Sequence, residues 1–156
     1  MCIRDSIERV GFENIRTQIW DARIPDERLA ESMDAVLCDV PCSGLGIMGK
    51  KQDIKYNLEE SVLEDLVKLQ REILKTALSY VKPGGSLLFS TCTINPKENE
   101  ENFRWIAGQN GFEPVDLTPF LPKTLDIKTA GEGYIQLLPG IHPCDGFFIG
   151  KLRRTK

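Results

Sequence analysis

From Glu59 to Tyr80 the apolar residues Val62, Leu63, Leu66, Leu69, Ile73, Leu74, Ala77 and Leu78 recur three and four positions apart. That spacing gathers them on one face of a long α-helix. On either side of it lies a short apolar run, Asp34 to Cys38 (DAVLC) before and Ser86 to Ser90 (SLLFS) after. Two strands joined through a helix of this length imply parallel neighbours in one sheet, which places the chain in the α/β class. Lys82, Pro83, Gly84 and Gly85 supply the stop between helix and second strand. The continuous apolar character of DAVLC suits a central strand covered on both faces.

The remaining segments extend this plan. A short helical opening stops at Gly11, and Asn14 to Trp20 (NIRTQIW) alternates polar and apolar residues as a strand would, ending at Asp21. A second helix is expected to begin near Asn95 as cap, with Pro96 at its first position and Glu98 closing a capping box, and to end at Asn110 and Gly111. Further strands are expected at Phe112 to Leu117, Tyr134 to Leu138 and Gly146 to Leu152, the last two forming an antiparallel edge. Ligands of such sheets sit outside the carboxyl ends of the strands. Asp21, the loop Asp39 to Gly46 (DVPCSGLG) and Cys92 all fall at ends of that kind.

Composition narrows the classes. A chain of 156 residues, 41% apolar and 28% charged, is sized for a single domain with a proper core. No apolar run is long enough to span a membrane and the opening MCIRDSIERVGFENI lacks a secretory signal, so a cytoplasmic protein without membrane association is expected. The five cysteines are odd in number, form no CxxC pair and have no His at ligand spacing, so reduced thiols are expected, with no zinc or other metal site. The net charge of −3 gives no global basic footprint. Lys50 with Lys51, and the tail Lys151 to Lys156, are local basic patches for which a solvated face is the favoured reading.

Taken singly, the cysteines are bland: a free thiol usually behaves as a small apolar residue. Cys38 reads as strand core, while Cys2 and Cys144 have no motif around them. Asp21 and Asp39 can each be turn residues or caps, or acceptors for the donors of a bound nucleoside or amino group. His142, the one histidine, reads as a loop residue without a catalytic role.

The pair of cysteine-bearing turns is not bland. DVPCSGLG (Asp39 to Gly46), followed by STCTINPKENEEN (Ser90 to Asn102), resembles the RNA cytosine-5 methyltransferases of the Sun/NOL1/NOP2 family. Asp53 to Lys55 (DIK), Gln70, the KPGG run and Asp145 to Leu152 (DGFFIGKL) are similar to it too, so the likeness extends from about Gly11 to the end. It implies a Rossmann-like class I methyltransferase fold that uses S-adenosyl-L-methionine, with a mostly parallel sheet and an antiparallel C-terminal edge. It also implies an RNA substrate, ribosomal RNA in the bacterial Sun branch; the sequence leaves the oligomeric state open, a monomer being the default expectation.

Carbon 5 of cytosine is a poor nucleophile until a thiolate adds to carbon 6, and the adduct must later be expelled with help from a second group. By the resemblance Cys92 is that nucleophile and Cys42 assists product release, whereas DNA cytosine-5 enzymes place their nucleophile in the Pro-Cys turn. The resemblance also assigns Asp21, Asp39 and Pro41 to the cofactor, with Asp21 on the adenosine side. The family's Gly-rich cofactor loop and its ribose-holding acidic residue have no counterpart before Asp21. The expectation is therefore a C-terminal part of a catalytic domain lacking its first strands and the RNA-binding domain, inactive or weakly cofactor-binding alone. A competing reading from a different class is a non-catalytic RNA-binding or assembly module of the same fold. Methylation of an exocyclic nitrogen is disfavoured, because such enzymes use two prolines and an aromatic where this chain has DVPC.

Overall fold

A computed structural model describes residues 3–51, 53–54 and 59–156. Helix α1 (Ile3–Val10) ends at Gly11, whose positive φ of 75° lets the chain turn out of the helix. Then come strand β1 (Met33–Asp39), helix α2 (Glu60–Tyr80), strand β2 (Val81–Thr91), helix α3 (Glu100–Ala107) and strands β3 (Phe112–Pro114), β4 (Tyr134–Leu137) and β5 (Phe147–Arg154). The five strands form one sheet in the order β1-β2-β5-β3, with β4 also on β5. No helix of the described residues is long and apolar enough to cross a membrane.

Only β1 and β2 pair in parallel, whereas β5 runs antiparallel to β2, β3 and β4. The α/β class and the antiparallel C-terminal edge stand. The expected mostly parallel sheet is, within the described residues, a mixed one, because β5 inserts antiparallel between β2 and β3 and leaves β1 and β2 as the parallel neighbours. The KPGG run lies within β2 rather than before it: Met33 faces Val81 and Ala35 already faces Ser86, so the run loops out between two points of the same ladder.

The core follows from the pleat. Leu87 lies opposite Leu152, Phe89 opposite Gly150 and Thr91 opposite Phe148, so the buried residues of β2 and β5 share one face. Onto that face α2 lays Leu74, Ala77 and Leu78 and α3 lays Phe103 and Ile106. Phe103 sits against Tyr134 and Phe148 with ring centroids 5.3 and 6.3 Å away. Fully burying each of these Leu, Ile or Phe side chains contributes roughly 1.5–3 kcal/mol. A smaller cluster of Leu117, Ala130 and Ile135 packs with Ile149. Arg154 donates to the Val81 carbonyl (2.7 Å) and pairs with Glu31, which ties the end of β5 to the segment before β1.

Several expectations change. Asn14 to Trp20 forms no strand and is exposed, with Ile19 at 87% accessibility, because no strand of the described residues pairs with it. Asp21 therefore does not follow a strand. Strand β1 is not covered on both faces, since Leu37 is 78% exposed. Regular helix starts at Glu100 instead of near Asn95 and ends at Ala107: Asn95 does accept from the Lys97 N–H, but Glu98 is drawn into a buried cluster described below. The strand expected at Phe112 to Leu117 is shortened to Phe112–Pro114, and Val62 stays exposed at the start of α2.

The ring of Phe103 lies directly over Gly150, where a Cβ would collide with it. Gly150→Ala should overpack the core and cost about 1–3 kcal/mol, seen as a lower urea midpoint at unchanged slope. An unchanged midpoint would contradict this packing.

Candidate active site: two thiols at one end of the sheet

Parallel register sets Asp39 beside Ser90, so the loops that follow β1 and β2 leave the same end of the sheet. The Val40 N–H donates to the Ser90 carbonyl (3.3 Å) and the Ser90 hydroxyl to Asp39 Oδ1 (2.9 Å). Asp39 is otherwise exposed at this end, next to exposed Pro41.

Past Pro41 the loop folds back onto the second turn. The Gly46 N–H donates to the Cys92 carbonyl (3.1 Å), and the Gly146 N–H donates to the Gly46 carbonyl (2.8 Å). A Cβ on Gly46 would run into the backbone of both partners, so this close approach requires glycine. Within these turns Cys42 Sγ and Cys92 Sγ lie 3.3 Å apart, both thiols free and half-buried. Burial, and then the hydrogen bond with Cys92, pushes the Cys42 thiol up to about 12. Cys38 is buried in β1, as its apolar context suggests, and desolvation, with a smaller contribution from the Asp39 charge, also takes it to about 12.

Behind the sulfurs lies a polar cluster that reading the sequence did not reveal. Glu98, with no exposed surface, accepts from the Ser43 N–H (2.9 Å), the Ser43 hydroxyl (2.6 Å), Gln70 Nε2 (2.8 Å) and Asn95 Nδ2 (3.0 Å). Gln70 Nε2 also donates to the Pro41 carbonyl (2.9 Å), and Asn102 Nδ2 donates to Gln70 Oε1 (2.8 Å). Asn99 accepts from the Thr91 hydroxyl (2.5 Å) and donates to the Thr93 carbonyl (2.9 Å), bracketing Cys92. No buried side-chain N or O among the described residues lacks a partner. The sequence did hold a signal, because Gln70 and Asn102 occupy apolar-face positions of α2 and α3, four residues before Leu74 and Ile106.

Asp21 stands apart from the sulfur pair. Its carboxylate takes up the Arg23 guanidinium (2.6 Å) and the Arg23 N–H (3.0 Å), contacts that hold its pKa at about 2. The residues on either side of it, Trp20 and Ala22, line a cleft of about 340 Å³ whose other wall is Val36, Leu37 and Cys38, the residues leading to Asp39. Asp21 and Asp39 are themselves outside its lining, each next in sequence to a residue that lines it, and its volume is within the range of small-molecule sites.

The other singled-out residues lie elsewhere. Lys50 is paired with Asp145 (2.5 Å), His142 Nδ1 accepts from the Leu138 N–H (2.9 Å) within its loop, and Cys144 is exposed. Cys2 and Lys55 lie outside the described residues. Among the described residues no group of three or more His, Cys, Asp and Glu side chains is placed to hold a metal.

Solved structures share this architecture. The crystal structure of PH0851 superposes with a TM-score of 0.84 at 35% identity over 97% of this chain and 34% of that one. NSun6 from Pyrococcus horikoshii with SFG gives 0.76 at 26% identity over 99% of this chain and 38% of its own. The fold is thus that of part of a Rossmann-like methyltransferase, of mixed-sheet α/β type.

The model of the family described as 16S rRNA methyltransferase RsmB/F matches residues 2–153, and the chain belongs to that family. Among curated relatives, ribosomal RNA small subunit methyltransferase F of Cronobacter sakazakii is 35% identical over 96% of this chain and that of Escherichia coli 36% identical over 97%. This chain spans 32% of the length of each, about a third.

Burial pushes the Cys42 thiol up from the ordinary 9.0 to about 12, so at pH 8 it carries far less thiolate than an unperturbed thiol. Iodoacetamide at pH 8 should therefore label exposed Cys144 and leave Cys42 intact, as read by peptide mass spectrometry. Equal labelling would contradict the burial of Cys42.

Proposed function

We propose that this chain carries the thiol site of an enzyme that moves a methyl group from S-adenosyl-L-methionine to carbon 5 of a cytosine in RNA, ribosomal RNA being the substrate class. The observation that carries the reading is the 3.3 Å approach of Cys42 and Cys92 at the carboxyl ends of two parallel strands. Membership of the RsmB/F family and relatives named as ribosomal RNA methyltransferases support it.

In this reading the Cys92 thiolate adds to carbon 6 of the ring and the displaced electron pair makes carbon 5 nucleophilic. Carbon 5 then takes the methyl group and loses its proton, and the carbon–sulfur bond breaks to return the thiolate. As the likeness of the two turns implies, attack falls to Cys92, and Cys42, held 3.3 Å away, assists the expulsion that follows. S-adenosyl-L-methionine, when bound, supplies the methyl group. In this reading Asp21, Asp39 and Pro41 would hold this donor, and the cleft lined by Trp20, Ala22, Val36 and Leu37, neighbours in sequence of the two aspartates, would take its adenosine. SFG, carried by the NSun6 structure, is an analogue of that donor.

The test joins this chain to the segments that the Escherichia coli relative carries outside the match and supplies labelled S-adenosyl-L-methionine and ribosomal RNA. Cys92→Ala should lose carbon-5 methylation by roughly a thousandfold or more, and Cys42→Ala should accumulate RNA covalently bound to protein. A folded Cys92→Ala fusion that methylates normally would refute the mechanism. RNA binding without any methylation would favour a non-catalytic binding module.

A further inference from the structure

We infer that Glu98 is the positioning residue that fixes the separation of the two sulfurs, an inference that deepens the two-thiol reading above. The residue directly after each cysteine is a partner of this one carboxyl: Ser43 through its N–H and hydroxyl, and Thr93 through its hydroxyl at 3.4 Å. The Ser43 and Thr93 hydroxyls also lie 2.7 Å apart; Ser43 gives its one proton to the carboxyl and Thr93 has one to direct to Ser43 or the carboxyl, so the three groups form a compact triangle of oxygens spanning the turns. Gln70 extends the hold to the other side of Cys42, donating at once to Glu98 and to the Pro41 carbonyl. The adjacent Asn99 does the same for Cys92 through Thr91 and Thr93.

Two physical points favour positioning over simple stabilisation. A buried carboxyl is expensive to desolvate, and an apolar residue of the same volume is often as good for stability. A fully satisfied polar cluster instead selects one geometry, because each donor has one direction in which it is satisfied. Ser43 N–H, Gln70 Nε2 and Asn95 Nδ2 are obligate donors aimed at Glu98, so an amide in its place would bring donor against donor. The Gly46 approach alone does not orient the Cys42 side, since it lies beyond Ser43 and Gly44 in the loop.

The experiment uses this chain and needs no methyl transfer. Purified protein is equilibrated with mixtures of reduced and oxidised glutathione. Each Cys42–Cys92 disulfide consumes one oxidised glutathione and releases two reduced ones. The linked peptide is quantified by mass spectrometry, which gives the effective concentration of one thiol toward the other.

Glu98→Gln should lower that effective concentration about tenfold or more, the scale of a lost hydrogen bond to a carboxylate, with unchanged circular dichroism. Ser43→Ala, which removes one corner of the triangle without stranding a buried carboxyl, should lower it in the same direction and serves if Glu98→Gln does not fold. Leu152→Ala, destabilising but remote from the triangle, should leave it unchanged. A folded Glu98→Gln or Ser43→Ala chain with the wild-type value overturns the inference. Absence of methyl transfer in the fusion would refute the function proposed above without touching this measurement.

Discussion

The parallel register of Asp39 against Ser90 is the constraint on which the site depends. Side chains on a strand alternate faces, so a slip of one residue between β1 and β2 would turn Leu87 and Phe89 out of the core and carry Cys92 away from the Pro41–Gly46 loop. Helix α2 sets that register from one side, burying Leu74, Ala77 and Leu78 on the same face. From the other side β5 locks β2 through an antiparallel ladder from Ser86 to Thr91. The long helix, the aromatic core and the sulfur pair are in this sense one structure: apolar packing fixes the strands, and the strands deliver the turns.

Apolar packing cannot by itself place two sulfurs within contact distance. That step passes to polar groups and to backbone. Gly46 and Gly146 allow main chain to touch main chain, and the cluster around Glu98 reaches from α2 across both turns to the start of α3. The start of α3 shows the trade. Residues that would suit an ordinary capping box face inward instead, and regular helix is delayed to Glu100 while Glu98, Asn99 and Asn102 are buried.

Much of this was legible in the residues. The three-and-four spacing of α2, the Pro and Gly residues of the Asp39–Gly46 loop, and the motif likeness around Cys42 and Cys92 each have a local cause that sequence displays. What escaped reading depends on neighbours. Asn14 to Trp20 has a strand's alternation, but a strand exists only with a partner, and alternation says nothing about one. Leu37 has the character of a core residue yet lies exposed, for the same reason. Glu98 satisfied the spacing of a cap, and only the proximity of Ser43, some fifty residues away, reassigns it. Polar residues intruding on an apolar helix face, as Gln70 and Asn102 do, were the available hint.

The central claim is that the two thiols divide the labour of a covalent methyl transfer, with Cys92 making the bond. RNA containing 5-azacytidine, which halts such a reaction at the adduct, tests it most directly when incubated with the fusion protein and S-adenosyl-L-methionine, followed by digestion and peptide sequencing by mass spectrometry. The account predicts a nucleotide attached to the peptide bearing Cys92 and none on the peptide bearing Cys42. Attachment at Cys42, or no adduct from a protein that methylates RNA, would contradict it.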